Sequence, residues 1–137
     1  YCGTSHSRMI GKVVVMSQAD YQTWLAGGTA GGTLESEGEK LFSKFGCIAC
    51  HQTNNTGRGP SLHGIYNKPV VLSDGKTVIA DPTYLRESIL NARARVVKGY
   101  APLMPSFQGL LADNDVEALV VYLKSLGSGK GVSHGTR

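Results

Sequence analysis

The sequence is poor in aromatic residues, which make up 7% of its 137 positions, and in cysteine, of which it has three. So few cysteines exclude a disulfide framework as the source of stability. No apolar run reaches the roughly 18 to 20 residues needed to cross a bilayer. No secretory leader pattern stands at the start. Basic residues are not interleaved with stacking aromatics, which excludes a nucleic-acid footprint. The chain opens at Tyr1 without an initiator methionine, and we expect a piece of a longer protein whose other segments carry any membrane anchor. Glycine, by contrast, is abundant at 18 residues, and the formal net charge is +4, with a sequence pI of about 9.1. The length suits one domain of ordinary size with ragged ends.

The most informative stretch is Cys47-Ile48-Ala49-Cys50-His51. Two thiols three residues apart, followed at once by a histidine, suit covalent haem attachment. Each sulfur can add to one porphyrin vinyl group as a thioether, and the histidine can then offer an imidazole nitrogen to the iron. A redox Cys-x-x-Cys pair and half of a zinc site use the same spacing. Zinc needs two more ligands, and the remaining candidates, Cys2, His6, His63 and His134, are scattered. A thioredoxin-type pair belongs in a βαβ setting that the pattern lacks. One covalent haem c is therefore expected, its flat apolar surface completing a small core and its propionates removing about half of the positive excess.

Residues 34–127 supply a setting for that motif. Ser36-Glu37-Gly38-Glu39 reads as a capping box, with Ser36 at the N-cap of a helix reaching about Phe45. Leu41, Phe42 and Phe45 form its apolar stripe, and Gly38 lets another helix approach. Residues 53–59 read as a turn. The carbonyl of Pro60 can accept the second imidazole N–H of His51; a simple turn proline is the other reading. His63 reads as a solvent-facing loop residue. Val70–Leu72 and Thr77–Ile79 read as a hairpin turning at Asp74-Gly75. Asp81 and Pro82 start a helix that turns Leu85 and Ile89 inward. Arg86, Arg93, Arg95 and Lys98 form a basic excess, either a solvated surface or a rim for an acidic redox partner. Met104, between Pro102 and Pro105 in a stiff loop, is either packing or the sixth iron ligand, and we favour the ligand because the iron needs one. The last helix should begin near Asp113, Ala112 being unable to cap it, with Val116, Leu119, Val120 and Leu123 inward and Gly127 closing it. Residues 128–137 read as a disordered tail.

The first 33 residues read differently. Cys2, His6 and Met9 are soft and borderline ligands that suit copper, or they belong to an ordinary loop. Lys12–Met16 reads as a strand, and Ser17 caps a short helix to about Leu25, with Asp20 in its first turn. Residues 26–33 are a glycine-rich linker.

Two resemblances join these segments. Residues 34–127 resemble a class I single-haem cytochrome c, a mostly α fold with a small β-hairpin here. The resemblance implies His51 and Met104 as axial ligands, Pro60 supporting His51, and Gly38 and Phe42 against Leu119 and Tyr122; Ala112 departs from the usual capping serine or threonine. Residues 1–25 resemble the end of the dinuclear copper (CuA) cupredoxin domain in subunit II of haem-copper oxidases, whose loop reads Cys-x-Glu-x-Cys-x-x-x-His-x-x-Met. Cys2, His6 and Met9 match its second cysteine, histidine and methionine. The first cysteine and the glutamate would precede Tyr1, so copper is expected only in the intact parent, leaving a strand and short helix here. Together the chain resembles the C-terminal part of a caa-type oxidase subunit II. That implies an electron carrier with no substrate site of its own. It would take electrons from a small cytochrome, iron-sulfur or copper protein and pass them to CuA and the haems of subunit I. The parent would be a proton-translocating oxidase, with this domain in the periplasm or on the outer membrane face. With Cys47 and Cys50 on haem and Cys2 in the copper loop, no internal disulfide is expected. The alternatives are a cytochrome domain fused to a copper nitrite reductase or quinoprotein dehydrogenase, and a haem whose labile Met104 admits small ligands.

Overall fold

The structure, a computed structural model, describes residues 13, 15–25, 33–53 and 56–127. The chain divides into two units, Tyr1–Gly31 and Gly32–Arg137.

In the first unit the expected short helix is present as α1 (Gln18–Leu25). The Tyr21 N–H donates to the Ser17 carbonyl at 2.9 Å, and the Tyr21 and Trp24 rings stack with centroids 5.7 Å apart. The strand expected over 12–16 is not formed at its described positions. Val13, Val15 and Met16 have no regular structure, and the two valines are 91% and 93% exposed. A β-branched run favours a strand only where a neighbouring strand and an apolar face receive it. Cys2, His6 and Met9 lie outside the described residues, as do the linker before Thr33 and residues 128–137.

The second unit begins with α2 (Leu34–Lys44). Its N-cap is Thr33, not Ser36: the Ser36 N–H donates to Thr33 Oγ1 at 3.1 Å, and the Ser36 hydroxyl donates to the Thr33 carbonyl at 2.9 Å. Threonine supplies the same side-chain cap that Ser36 offered one turn later, though the Ser36 hydroxyl donates to a carbonyl instead of accepting the N-cap N–H as a capping-box glutamate would, and the earlier cap gains an extra turn of helix. Leu41, Phe42 and Gly38 are buried on one face. At Gly38 a Cβ would lie 2.1 Å from the Ala118 carbonyl oxygen and 2.7 Å from Tyr122 Cβ. This glycine is what lets α2 and the last helix meet almost backbone to backbone. Beside it the Phe42 and Tyr122 rings sit with centroids 5.4 Å apart.

The last helix, α4 (Asp113–Ser125), starts as expected. Ala112 offers no side-chain acceptor, so only the return half of a capping box forms, with the Ala112 N–H donating to Asp115 Oδ2 at 3.0 Å. Val116, Leu119, Val120 and Leu123 are all buried, with Ala118. Helix α4 ends on Leu126, whose N–H donates to the Tyr122 carbonyl at 3.2 Å. Gly127 is not a left-handed cap. It packs closely on another glycine: a Cβ there would lie 3.1 Å from Gly64 Cα.

Between these helices lie the hairpin and α3. Strands β1 (Pro69–Val71) and β2 (Thr77–Ile79) pair antiparallel, with Val70 opposite Val78. Leu72 leaves the ladder, and the connection is three residues, Ser73 to Gly75. The Leu72 N–H donates to the Lys76 carbonyl at 2.8 Å, and Gly75 takes φ +84°. The other edge of β1 is engaged: the Ser73 N–H donates to the Val96 carbonyl at 2.8 Å and the Lys98 N–H to the Val71 carbonyl at 2.9 Å. Helix α3 (Pro82–Leu90) is capped by Asp81, whose Oδ1 accepts from the Tyr84 N–H at 2.8 Å. It buries Leu85 and Ile89 as expected, and Tyr84 as well. Among the described residues no helix is long and apolar enough to cross a membrane.

Candidate haem-binding site

The wall that carries the paired cysteines is built locally. Helix α2 stops at the C-cap Phe45, and Gly46, at φ +71°, turns the chain sharply into a 3₁₀ turn over Cys47–Ala49. That conformation costs glycine little and other residues more. The turn closes through the Cys50 and His51 N–H groups, which both donate to the Cys47 carbonyl at 3.2 and 2.9 Å. Both cysteines are free and half-buried. Burial pushes the Cys47 thiol above the ordinary thiol range; its backbone hydrogen bond opposes this and Cys50 adds to it.

The following loop folds back onto the motif. The Gly59 N–H donates to the Cys50 carbonyl at 3.0 Å, and the His51 Nδ1–H donates to the Pro60 carbonyl at 2.8 Å. A carbonyl can only accept, so this bond puts the proton on Nδ1 and leaves the Nε2 lone pair free to bind a metal. Gly59 lies directly on the ring. A Cβ there would be 2.8 Å from His51 Cε1 and 3.0 Å from Nδ1.

The facing wall comes from α3, the 96–107 segment and α4. Cys47, Cys50, His51, Pro60 and Met104 all line one cavity of about 330 Å³. Its other walls are mostly apolar, formed by residues such as Leu62, Ile65, Leu85, Ile89, Val97 and Leu123. Phe45 and Phe107, which both line it, meet edge to face with centroids 5.9 Å apart. Arg58 and Arg95 supply cations at its edge. Tyr100, Ser88 and the hairpin-tied Val96 and Val97 also line it, and none of these was singled out as a site residue from sequence. Their signal was weak: only the short distance from Tyr100 to Met104 along the chain pointed to it.

The basic excess is partly neutralised. Arg86 pairs with Asp113 at 2.8 Å and reaches Glu117 at 4.0 Å, and Arg95 pairs with Glu87 at 2.9 Å. Among the described residues Arg93 and Lys98 form no ion pair. No group of three or more His, Cys, Asp or Glu side chains is placed to hold a metal ion among the described residues.

An apolar cavity with two thiols at one edge, an imidazole fixed in the tautomer that leaves Nε2 free, and a thioether among its lining residues fits a covalently attached haem. The class is that of a small helical protein built around one such group. The cytochrome c family model matches residues 35–127, and the chain belongs to that family, which implies covalent haem c and electron transfer. Among curated proteins it is 27% identical over 139 residues to cytochrome c oxidase subunit 2 of Alkalihalophilus pseudofirmus, covering 91% of this chain and 36% of that protein. It is 33% identical over 118 residues to the Cbb3-type cytochrome c oxidase subunit FixP of Bradyrhizobium diazoefficiens, covering 85% and 36%. It is 28% identical over 133 residues to cytochrome c oxidase subunit 2 of Bacillus subtilis, covering 91% and 37%. The chain thus spans little more than a third of these relatives.

Proposed function

We propose that this chain is the cytochrome c module of an oxidase subunit II, carrying single electrons from an external donor protein to a CuA centre in the same polypeptide. The observation that carries the reading is the convergence of His51 and Met104 on one apolar cavity with Cys47 and Cys50. The relatives named cytochrome c oxidase subunit 2 support the oxidase over other fused redox enzymes. On this reading residues 1–25 end the copper domain and supply Cys2, His6 and Met9 to copper in the intact parent. Residues 26–33 tether the haem domain of residues 34–127. The domain works in the periplasm or on the outer membrane face.

The haem supplies the chemistry when bound, its iron changing charge by one electron. The protein keeps everything else still. Cys47 and Cys50 fix the macrocycle by thioethers. The Pro60 carbonyl holds the His51 ring through Nδ1, so Nε2 would be the atom offered to the iron. Met104, which lines the same cavity, would be the second protein ligand, and a thioether would favour ferrous iron and raise the potential. Iron held by both side chains would have no open site for substrate, which favours electron transfer over catalysis. Apolar walls keep water away, so little solvent must reorganise. The linker replaces diffusional docking with a high effective concentration of the haem domain at the copper domain.

Rapid mixing of the oxidised, haem- and copper-loaded parent subunit with a reduced donor protein tests the route. Electron transfer from haem to CuA at a rate independent of subunit concentration is expected. A rate that scales with concentration would mean that the donor-to-CuA tether does not operate, leaving a cytochrome module that serves another acceptor.

A further inference from the structure

We propose that Ser106 is a positioning residue for Met104, its hydroxyl clipping the loop that carries the thioether onto the open C-terminal end of α3. The inference rests on Met104 being an iron ligand.

The last carbonyls of any helix lack intrahelical partners. Helix α3 ends without a glycine-type cap to satisfy them, because its C-cap, Asn91, has φ −134° and ψ 67°, outside the left-handed region. Two of its carbonyls are instead taken by the segment just beyond Met104. The Ser106 hydroxyl donates to the Leu90 carbonyl at 2.5 Å, and the Phe107 N–H donates to the Ile89 carbonyl at 3.3 Å. Ser106 Oγ also accepts from the Gln108 N–H at 3.3 Å, so one hydroxyl joins the helix end to the turn that follows it.

Few other ties hold Met104. Pro102 and Pro105 have no N–H to give, and the 100–105 stretch makes one internal backbone bond, from the Leu103 N–H to the Ala101 carbonyl at 2.8 Å. Upstream, the chain is pinned at 96–98 by β1 and then passes Gly99 at φ +88°. Downstream, the first anchor after Met104 is Ser106, two residues away. The hydroxyl therefore sets how often the loop lies closed with its thioether toward the cavity. An external ligand for the iron can bind only when the loop is open, so its apparent affinity rises by the factor through which closure weakens.

The test uses haem-loaded protein with Ser106→Ala, Ser106→Val and Ser106→Thr. Imidazole is titrated into the ferric form while the red-region methionine-to-iron band is followed. Losing one hydrogen bond should tighten imidazole binding roughly three- to tenfold in Ser106→Ala and Ser106→Val. Ser106→Thr keeps the hydroxyl and should titrate like the unsubstituted protein. A merely structural role would lower unfolding midpoints without separating threonine from its near-isostere valine in this titration. If the alanine and valine variants titrate like the parent, Ser106 has no positioning role while Met104 ligation stands. Absence of the red band from the unsubstituted protein would overturn Met104 ligation and this proposal with it.

Discussion

The two walls of the cavity hold His51 and Met104, the proposed iron ligands, in opposite ways. His51 is fixed from nearby in the chain: a 3₁₀ turn starting four residues earlier, the Gly59 backbone lying on the ring, and the Pro60 carbonyl nine residues later. Met104 has almost no local support and is held from a distance, by β1 at one end and by the end of α3 at the other. A thioether is also a weaker donor than an imidazole. The comparison teaches that the stiff side of the site is a sequence motif and the adjustable side is a tertiary arrangement. Exchange of a ligand, or tuning of the potential, should therefore occur on the methionine side.

The largest expected effect strikes the framework both walls share. Gly38→Ala puts a Cβ against the Ala118 carbonyl oxygen, at 2.1 Å in the present geometry, a backbone atom that cannot swing aside. The helices α2 and α4 must separate. A loss of about 3 kcal/mol is expected in denaturant unfolding of the haem-loaded protein, well beyond the roughly 1 kcal/mol that alanine returns in helix propensity. Unchanged stability would show that the close approach carries no weight.

Gly59→Ala acts on the histidine wall alone. Its Cβ would crowd the His51 ring at 2.8 Å, tilting the imidazole off the Pro60 carbonyl at a cost of about 1–3 kcal/mol. The expected result is a larger high-spin fraction on mild acidification, with the red band of unacidified protein little changed. Asp81→Ala acts on the methionine wall through α3. It removes the N-cap bond to Tyr84, costing about 1 kcal/mol in unfolding, and external imidazole should bind more tightly as α3 loosens. If imidazole affinity stays fixed while stability falls, α3 does not transmit to Met104 and the comparison breaks.

Smaller effects sharpen the electrostatics. Arg93→Gln should slow reduction by an acidic donor roughly twofold at low ionic strength, and salt should abolish the difference. Arg95→Gln should do less, because Arg95 is already paired with Glu87. An equal effect from both would mean that the pairing is not kept during docking. The smallest effect concerns Asp74, whose carboxyl is held below the ordinary range chiefly by the Lys76 N–H and then by the Lys76 side chain. The unfolded value is the higher one, so this stabilisation is complete above about pH 4 and fades as pH falls through the folded value. Asp74→Asn should flatten that acid limb slightly, by losing at neutral pH the small contribution that the wild-type carboxylate loses only in acid.

The same contrast explains how much was legible in the sequence. The histidine wall is a contiguous motif, and the inward stripe Val116, Leu119, Val120, Leu123 is a single-helix period, so both were readable without a fold. The Asp81-Pro82 helix start and the Asp74-Gly75 turn were readable for the same reason. Features that depend on distant partners were not. Nothing in Ser106 announces Leu90, and nothing in Val96 or Lys98 announces the edge of β1. The four cations near the methionine loop read as one basic excess until the fold brought Asp113 and Glu117 to Arg86. Local competition misled at Ser36, where Thr33 offered an equal cap one turn earlier. It misled again at Gly127, which lies against Gly64 and is not a left-handed cap. The valine-rich run before α1 had strand composition and, at its described positions, no strand to join.

The most direct test of the central claim is the absorption spectrum of the haem-loaded protein, oxidised and reduced, before and after carbon monoxide. A c-type reduced spectrum, a red-region methionine-to-iron band in the oxidised form and no response to carbon monoxide are predicted, as expected for a six-coordinate His51/Met104 electron carrier. A carbon monoxide shift in native buffer would contradict the account, because it would mean that the methionine wall leaves the iron open to ligands.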